Sequence, residues 1–303
     1  MNKKFSGIIV PAITPLNSKF EIDIDAVERI FNNFYDHQIS PFILGTTGES
    51  SSLSIQQKKN YVKTAADSKK SGTILYAGIS SNIVSESVEF AKFCADNKVD
   101  VVAATLPSYY ALTEIQMKKY FLQLADAIPI PLVIYNIPAT THMSIPLQII
   151  DELSHHPNII ATKDSERSDE RLQQSLELWK DRKDFGYFLG WAAKSVEALL
   201  GGSDGLIPST GNIKPVIYEN MWMAAREGNI QEAQQMQYWS DEYGKIYQNE
   251  KTLGESLWAL KALMKKKGLC DDYVMPPLQA MDSNEAIELA SKYVDLENLS
   301  QLT

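Results

Sequence analysis

Short apolar runs alternate with longer stretches of helical spacing through the first two-thirds of the chain. The runs are Gly7–Thr14, Pro41–Leu44, Thr73–Ala77, Val99–Ala103, Leu132–Asn136, Ile159–Lys163, Tyr187–Gly190 and Gly205–Pro208. Each is nearly continuous rather than alternating, the pattern of parallel strands buried on both faces. Between them, Ile24, Val27, Ile30, Phe31 and Phe34 recur at three- and four-residue steps and form one apolar stripe. Ser54 is placed to cap Ile55–Ser68, and Thr113 to start Glu114–Ala127. Ser85–Asp96, Pro146–Ser154, Asp169–Lys180, Ala193–Leu200 and Pro215–Glu227 complete the set. Eight strand–helix units predict an α/β fold, a closed (β/α)8 TIM barrel. A doubly wound open sheet is the alternative, but no G-x-G-x-x-G follows the first strand.

From Ile230 onward the strand signal stops. Ile230–Asn249, Thr252–Lys267 and Asn284–Tyr293 read as helices, broken by Gly268 and by Pro276-Pro277. The expected organisation is a barrel over residues 1–228 carrying the active site, with a helical extension over 229–303 packed on it.

Composition and charge narrow the function classes. The chain has 303 residues, enough for one large core, and a formal net charge of −9. The longest basic run, Lys265-Lys266-Lys267, is read as a solvated helix end, so a nucleic-acid partner is not expected. No apolar run approaches the ~20 residues of a membrane span. Two lysines precede the short stretch Gly7–Pro11, which is read as a first strand and not as a leader, so a cytoplasmic protein is expected. Cys94 and Cys270 lie far apart without a motif, so neither a disulfide framework nor a metal site is expected. Cys94 falls in an apolar helical pattern and is assigned to the core.

In such barrels chemistry sits at the C-terminal ends of the strands. Three strand ends carry suitable groups. Lys163 closes the run Ile159-Ile160-Ala161, where desolvation favours the neutral, nucleophilic amine. The alternative is a lysine that has left its strand for solvent. Tyr135 ends the preceding strand and is placed to pass protons beside Lys163, or to plug the barrel mouth. Gly45-Thr46-Thr47-Gly48 gathers two hydroxyls and several N–H groups in a turn, a carboxylate receptor without a full charge, or an ordinary tight turn.

Together these residues resemble the dihydrodipicolinate synthase / N-acetylneuraminate lyase family of class I pyruvate-dependent enzymes. The matching features are Gly7–Leu16, G-T-T-G-E-S at Gly45–Ser50, Y-N-I-P at Tyr135–Pro138, Lys163-Asp164, and Gly205–Asn212. The resemblance implies Lys163 as the Schiff-base lysine and Tyr135 as the proton shuttle. It implies Thr46 and Thr47 as the carboxylate-binding pair, with Thr46 linked to the proton relay. Tyr110 resembles the tyrosine that a neighbouring subunit adds to that relay, and Ile207 the position whose carbonyl faces the keto acid. A homo-oligomer, dimer or tetramer, is implied, as are pyruvate and an aldehyde as reactants, with no cofactor.

Departures from the family pattern bear on the substrate. Dihydrodipicolinate synthases place an arginine five positions after the Y-N-x-P tyrosine, to hold the aldehyde's carboxylate; here that position is Thr140. Sialic acid lyases have an Asp-Glu pair where Gly190-Trp191 is here followed by Ala192-Ala193. What remains is a lyase or aldolase for 2-keto-3-deoxy sugar acids, with Thr140, Thr141, His142, Trp191 and Ser209 expected to line the variable part of the pocket. Condensation of pyruvate with aspartate semialdehyde, a keto-acid dehydratase, and a non-catalytic keto-acid-binding barrel stay open as alternatives.

Overall fold

A computed structural model describes residues 5–300. The lysine-bearing residues 1–4, part of the leader reading above, lie outside the described residues. Eight parallel strands follow one another round a closed barrel in chain order. They are β1 (Gly7–Pro11), β2 (Ser40–Ile43), β3 (Tyr76–Gly78), β4 (Val101–Ala104), β5 (Leu132–Asn136), β6 (Ile159–Asp164), β7 (Gly186–Leu189) and β8 (Gly205–Leu206). The intervening helices are α1 (Ile24–Tyr35), α2 (Ile55–Asp67), α3 (Val84–Asp96), α4 (Glu114–Ala127), α5 (Pro138–Thr141), α6 (Leu147–Leu153), α7 (Asp169–Trp179) and α8 (Ser195–Leu200). After β8 come α9 (Pro215–Glu227), α10 (Ile230–Gln248), α11 (Leu253–Lys266) and α12 (Ser283–Ser300). This is the (β/α)8 TIM barrel with C-terminal helices that the pattern of apolar runs predicts.

The local reasons are those of the sequence. Ser54 and Thr113 each close a capping box, with Gln57 and Gln116 returning the bond, so α2 and α4 start where expected. In α1 the apolar stripe buries Val27, Ile30, Phe31 and Phe34 together with Ala26. Ile24, the first residue of that helix, falls off the stripe and is exposed. Cys94 is buried in α3, and burial pushes its thiol up to about 12. Two elements go beyond the sequence reading. The one-turn α5 starts on Pro138 and ends at His142 in the left-handed region, φ 58°. Helix α12 runs seven residues past Tyr293, because Lys214 and Tyr243 hold Glu297 at 2.7 and 3.1 Å.

The chain falls into two compact units. One holds the described residues up to Ile9 and Ile74–Pro208; the other holds Val10–Thr73 and the described residues from Ser209 onward. In the second unit α10 packs against α9, α11 and α12. Among the described residues no helix is long and apolar enough to cross a membrane. Among the same residues, no group of three or more His, Cys, Asp or Glu side chains is placed to hold a metal ion.

Candidate active site

The first unit brings Tyr135 and Lys163 together. Parallel pairing of β5 with β6 sets Tyr135 beside Lys163 and Asn136 beside Asp164. Successive strand residues face opposite ways, so the first pair shares one face and the second pair the other. Lys163 is 3% exposed and Tyr135 5%. The Lys163 Nζ lies 3.9 Å from the centroid of the Tyr135 ring, within cation–π range. An amine and a phenol are thereby held side by side in a dry setting, the pairing needed for attack on a carbonyl and for proton transfer during it.

Gly190, just past β7, keeps space open for that lysine. A Cβ there would stand 2.2 Å from Ser165 Oγ, 3.1 Å from the Asp164 carbonyl oxygen and 3.2 Å from Lys163 Cε. The serine hydroxyl can rotate away. The Asp164 carbonyl cannot, because it accepts a 2.6 Å hydrogen bond from Gly190 N. Gly190→Ala is therefore expected to cost about 1–3 kcal/mol of stability by overpacking. It should also slow capture of a keto acid at Lys163 about tenfold through misplacement of the amine. Thermal unfolding and single-turnover trapping check the two effects, and a variant equal to the parent in both would refute the spacing role.

On the opposite face lies a polar network. Asn136 Nδ2 donates to Asp164 Oδ1 at 3.1 Å, and Arg171 Nε, from α7, donates to Asp164 Oδ2 at 2.7 Å. Burial pushes the Asp164 carboxyl up, against the pull of the Arg171 guanidinium. Glu166 accepts from Asn136 at 3.0 Å and from the Ser144 hydroxyl at 2.6 Å.

The Thr46–Thr47 turn belongs to the second unit. Gly48 N donates to the Gly45 carbonyl and Glu49 N to the Thr46 carbonyl, both at 3.1 Å. The turn is entered by Leu44 and left by Glu49, each in the left-handed region. Gly48 is required by close approach: a Cβ there would lie 3.1 Å from both the Ala12 carbonyl oxygen and Leu44 N. Thr14 Oγ1 donates to the Gly48 carbonyl at 2.6 Å. Behind the turn, Glu49 is ion-paired with Lys261 of α11, and neither side chain is exposed to solvent. Glu49 also accepts from Met275 N at 2.7 Å, and Lys261 donates to the Tyr273 carbonyl at 2.7 Å. Burial pulls the Lys261 ammonium below its ordinary value, while Glu49 opposes that pull.

The remaining expected residues take varied positions. In the first unit, Ile207 is buried and bonded through its N–H to Leu189 O at 2.8 Å. Thr140 and Thr141 sit in α5, and the Thr141 hydroxyl bonds the Ile137 and Met143 carbonyls of its own loop. Trp191 is half-buried, with Lys194 Nζ 5.7 Å from its ring centroid. That ammonium is paired with Asp169 and Glu197 at 2.6 and 2.8 Å. Tyr110 is 74% exposed and stands edge-on to Tyr109, the centroids 4.9 Å apart. In the second unit, the Ser209 hydroxyl is 2.8 Å from that of Tyr247, which also meets Thr210.

Sequence reading missed the Glu49–Lys261 pair, the Asp164–Arg171 network and the anchor Tyr247. A signal existed for the first: Lys261 interrupts Leu257-Trp258-Ala259-Leu260 and Ala262-Leu263-Met264, and a lysine inside an apolar helix needs a buried partner.

The sequence profile of the dihydrodipicolinate synthetase family matches residues 4–294. The chain belongs to this family. Among curated members of the dihydrodipicolinate synthetase family, it is 29% identical to an uncharacterized DapA-like lyase of Pyrococcus abyssi, over 97% of this chain and 99% of that one. It is 27% identical to the 4-hydroxy-tetrahydrodipicolinate synthase of Thermosipho africanus, over 81% of this chain and 83% of that one. The solved dihydrodipicolinate synthase of Bacteroides thetaiotaomicron superimposes with a TM-score of 0.91 at 27% identity, covering 97% of this chain and all of that one.

Proposed function

We propose that the chain is a class I, Schiff-base-forming carbon–carbon lyase or aldolase that joins or releases pyruvate and an aldehyde, with a 2-keto-3-deoxy sugar acid as the joined form. The observation that carries this reading is the buried apposition of Lys163 and Tyr135 at the ends of neighbouring strands. Family membership and the lyases and synthases among its relatives support it.

In this mechanism the Lys163 amine attacks C2 of the keto acid. The carbinolamine loses water and becomes an iminium. Tyr135 takes the proton of the C4 hydroxyl, the C3–C4 electron pair flows into the iminium, and the aldehyde departs. The enamine left on Lys163 is protonated at C3, and water then releases pyruvate and restores the amine. The resemblance assigns the keto acid's carboxylate to the hydroxyls and N–H groups of the Thr46–Thr47 turn, Thr46 joining the relay, and the Ile207 carbonyl to the keto-acid side. Thr140, Trp191 and Ser209 are assigned to the rest of the substrate. The exposed Tyr109–Tyr110 pair supports a homo-oligomer in which Tyr110 serves a neighbouring subunit.

Borohydride reduction in the presence of pyruvate, followed by peptide mapping, tests the reading. The expected adduct is on the peptide bearing Lys163. An unmodified Lys163 under conditions that label a control aldolase would sink the assignment. A screen of 2-keto-3-deoxy sugar acids for pyruvate release then tests the substrate class. Relatives named 4-hydroxy-tetrahydrodipicolinate synthase favour a second reading, condensation with aspartate semialdehyde, which a coupled assay with that aldehyde decides.

A further inference from the structure

The loop from Ile137 to Ser144 replaces the arginine-bearing segment of dihydrodipicolinate synthases, and the structure ties it down at both ends. Asn136, which opens it, accepts from Ile145 N through Oδ1 at 3.0 Å, so one side chain closes the loop at its base. The carbonyl of the same Ile145 accepts from Arg171 at 2.8 Å. Both backbone polar groups of Ile145 are thus satisfied by side chains from two other elements, β5 and α7. Ser144 adds its hydroxyl to Glu166, and Arg171 reaches that hydroxyl at 3.5 Å. Inside the loop, Pro138 starts α5 and Thr141 bonds the carbonyls on either side of it.

A surface loop of this length ordinarily keeps conformational freedom, and fixing its backbone costs entropy. Here five polar groups are used to remove that freedom. They are anchored on the residues that follow the reacting pair: Asn136 after Tyr135, and Asp164 after Lys163. One network therefore fixes the register of the reacting side chains and the frame that presents Thr140 and His142.

We propose that Asn136, Asp164, Glu166 and Arg171 form a positioning clamp that holds the Ile137–Ser144 loop in place for the aldehyde half of the substrate. The reaction it serves is the one proposed above. Arg171 is its keystone, because a planar fork is needed to reach Asp164 and Ile145 in different directions. A lysine supplies one point charge and cannot span both acceptors.

The test uses Arg171→Gln and Arg171→Lys in the full chain. Hydrogen exchange followed by mass spectrometry reads the loop without any substrate. Exchange over 137–145 should quicken about tenfold or more in both variants, while β6 and α7 keep parental protection. Steady-state assays with a 2-keto-3-deoxyhexonate should show KM raised about tenfold and kcat lowered less than threefold. Unchanged exchange in the loop overturns the clamp, whatever reaction the enzyme performs. Parental KM in Arg171→Lys overturns the fork. An equal loss across KM, kcat and global protection marks a merely structural arginine and overturns it too. If the parent fails to trap pyruvate, the Schiff-base reading falls, while loop exchange still decides the clamp.

Discussion

Lys163→Met is expected to lower pyruvate release by about 10⁴-fold or more while leaving the fold intact. The size follows from the role: loss of a covalent nucleophile removes a whole reaction path, not one contribution to a shared barrier. The fold should survive because Lys163 is almost fully buried against the Tyr135 ring, and an unbranched apolar chain of similar length fills that space. Tyr135→Phe keeps the ring and removes only the hydroxyl, so its loss should be smaller, about 10²–10⁴-fold, the usual scale of general acid–base catalysis. Rates measured with and without borohydride separate the two, since Tyr135→Phe retains the amine and still forms a trappable adduct, only more slowly. A Lys163→Met enzyme with more than about one-hundredth of parental turnover would move the nucleophile elsewhere.

Much of this was legible in the sequence because the deciding signals are local. A parallel strand buried on both faces must be apolar throughout, so each of the eight strands announced itself as a short run. The caps Ser54 and Thr113 likewise act within three residues of their own position. Lys163 was readable because it ends an apolar run, and Tyr135 because it ends the run before. What could not be read depends on contacts between separate elements, whether near or far along the chain. Asp164 looks like one acidic residue after a lysine until α7 delivers Arg171 to it. Glu49 looks like part of a turn motif until α11 brings Lys261 from more than two hundred residues away. The backbone of His142 was equally hidden: it ends α5 with a φ of 58°, the left-handed conformation that glycine adopts without strain.

Lys261→Met should lower stability by about 3–5 kcal/mol, because it strips the buried Glu49 carboxylate of its cation and leaves it the Met275 N–H among the described residues. At about 2.1 cal/mol/K of unfolding entropy per residue, that corresponds to a fall in Tm of roughly 5–8 °C for a 303-residue chain. The buried pair itself need not stabilise the protein: desolvation of two charges offsets most of their attraction. The double variant Glu49→Gln/Lys261→Met should therefore recover most of the loss, since a Gln amide oxygen still accepts from Met275 N and no bare charge stays inside. A double-mutant cycle read by thermal or denaturant unfolding measures the coupling directly. Strictly additive losses would show that Glu49 and Lys261 act independently. The pair also bears on the turn two residues away. Glu49 holds its left-handed conformation with its N–H on the Thr46 carbonyl, so a Glu49 released from Lys261 loosens the Thr46–Thr47 turn from behind. The restored double variant thus separates two roles for one ion pair. If stability returns but pyruvate binding stays weak, the charge pair is kept to aim the turn; if both return, packing behind the turn is enough.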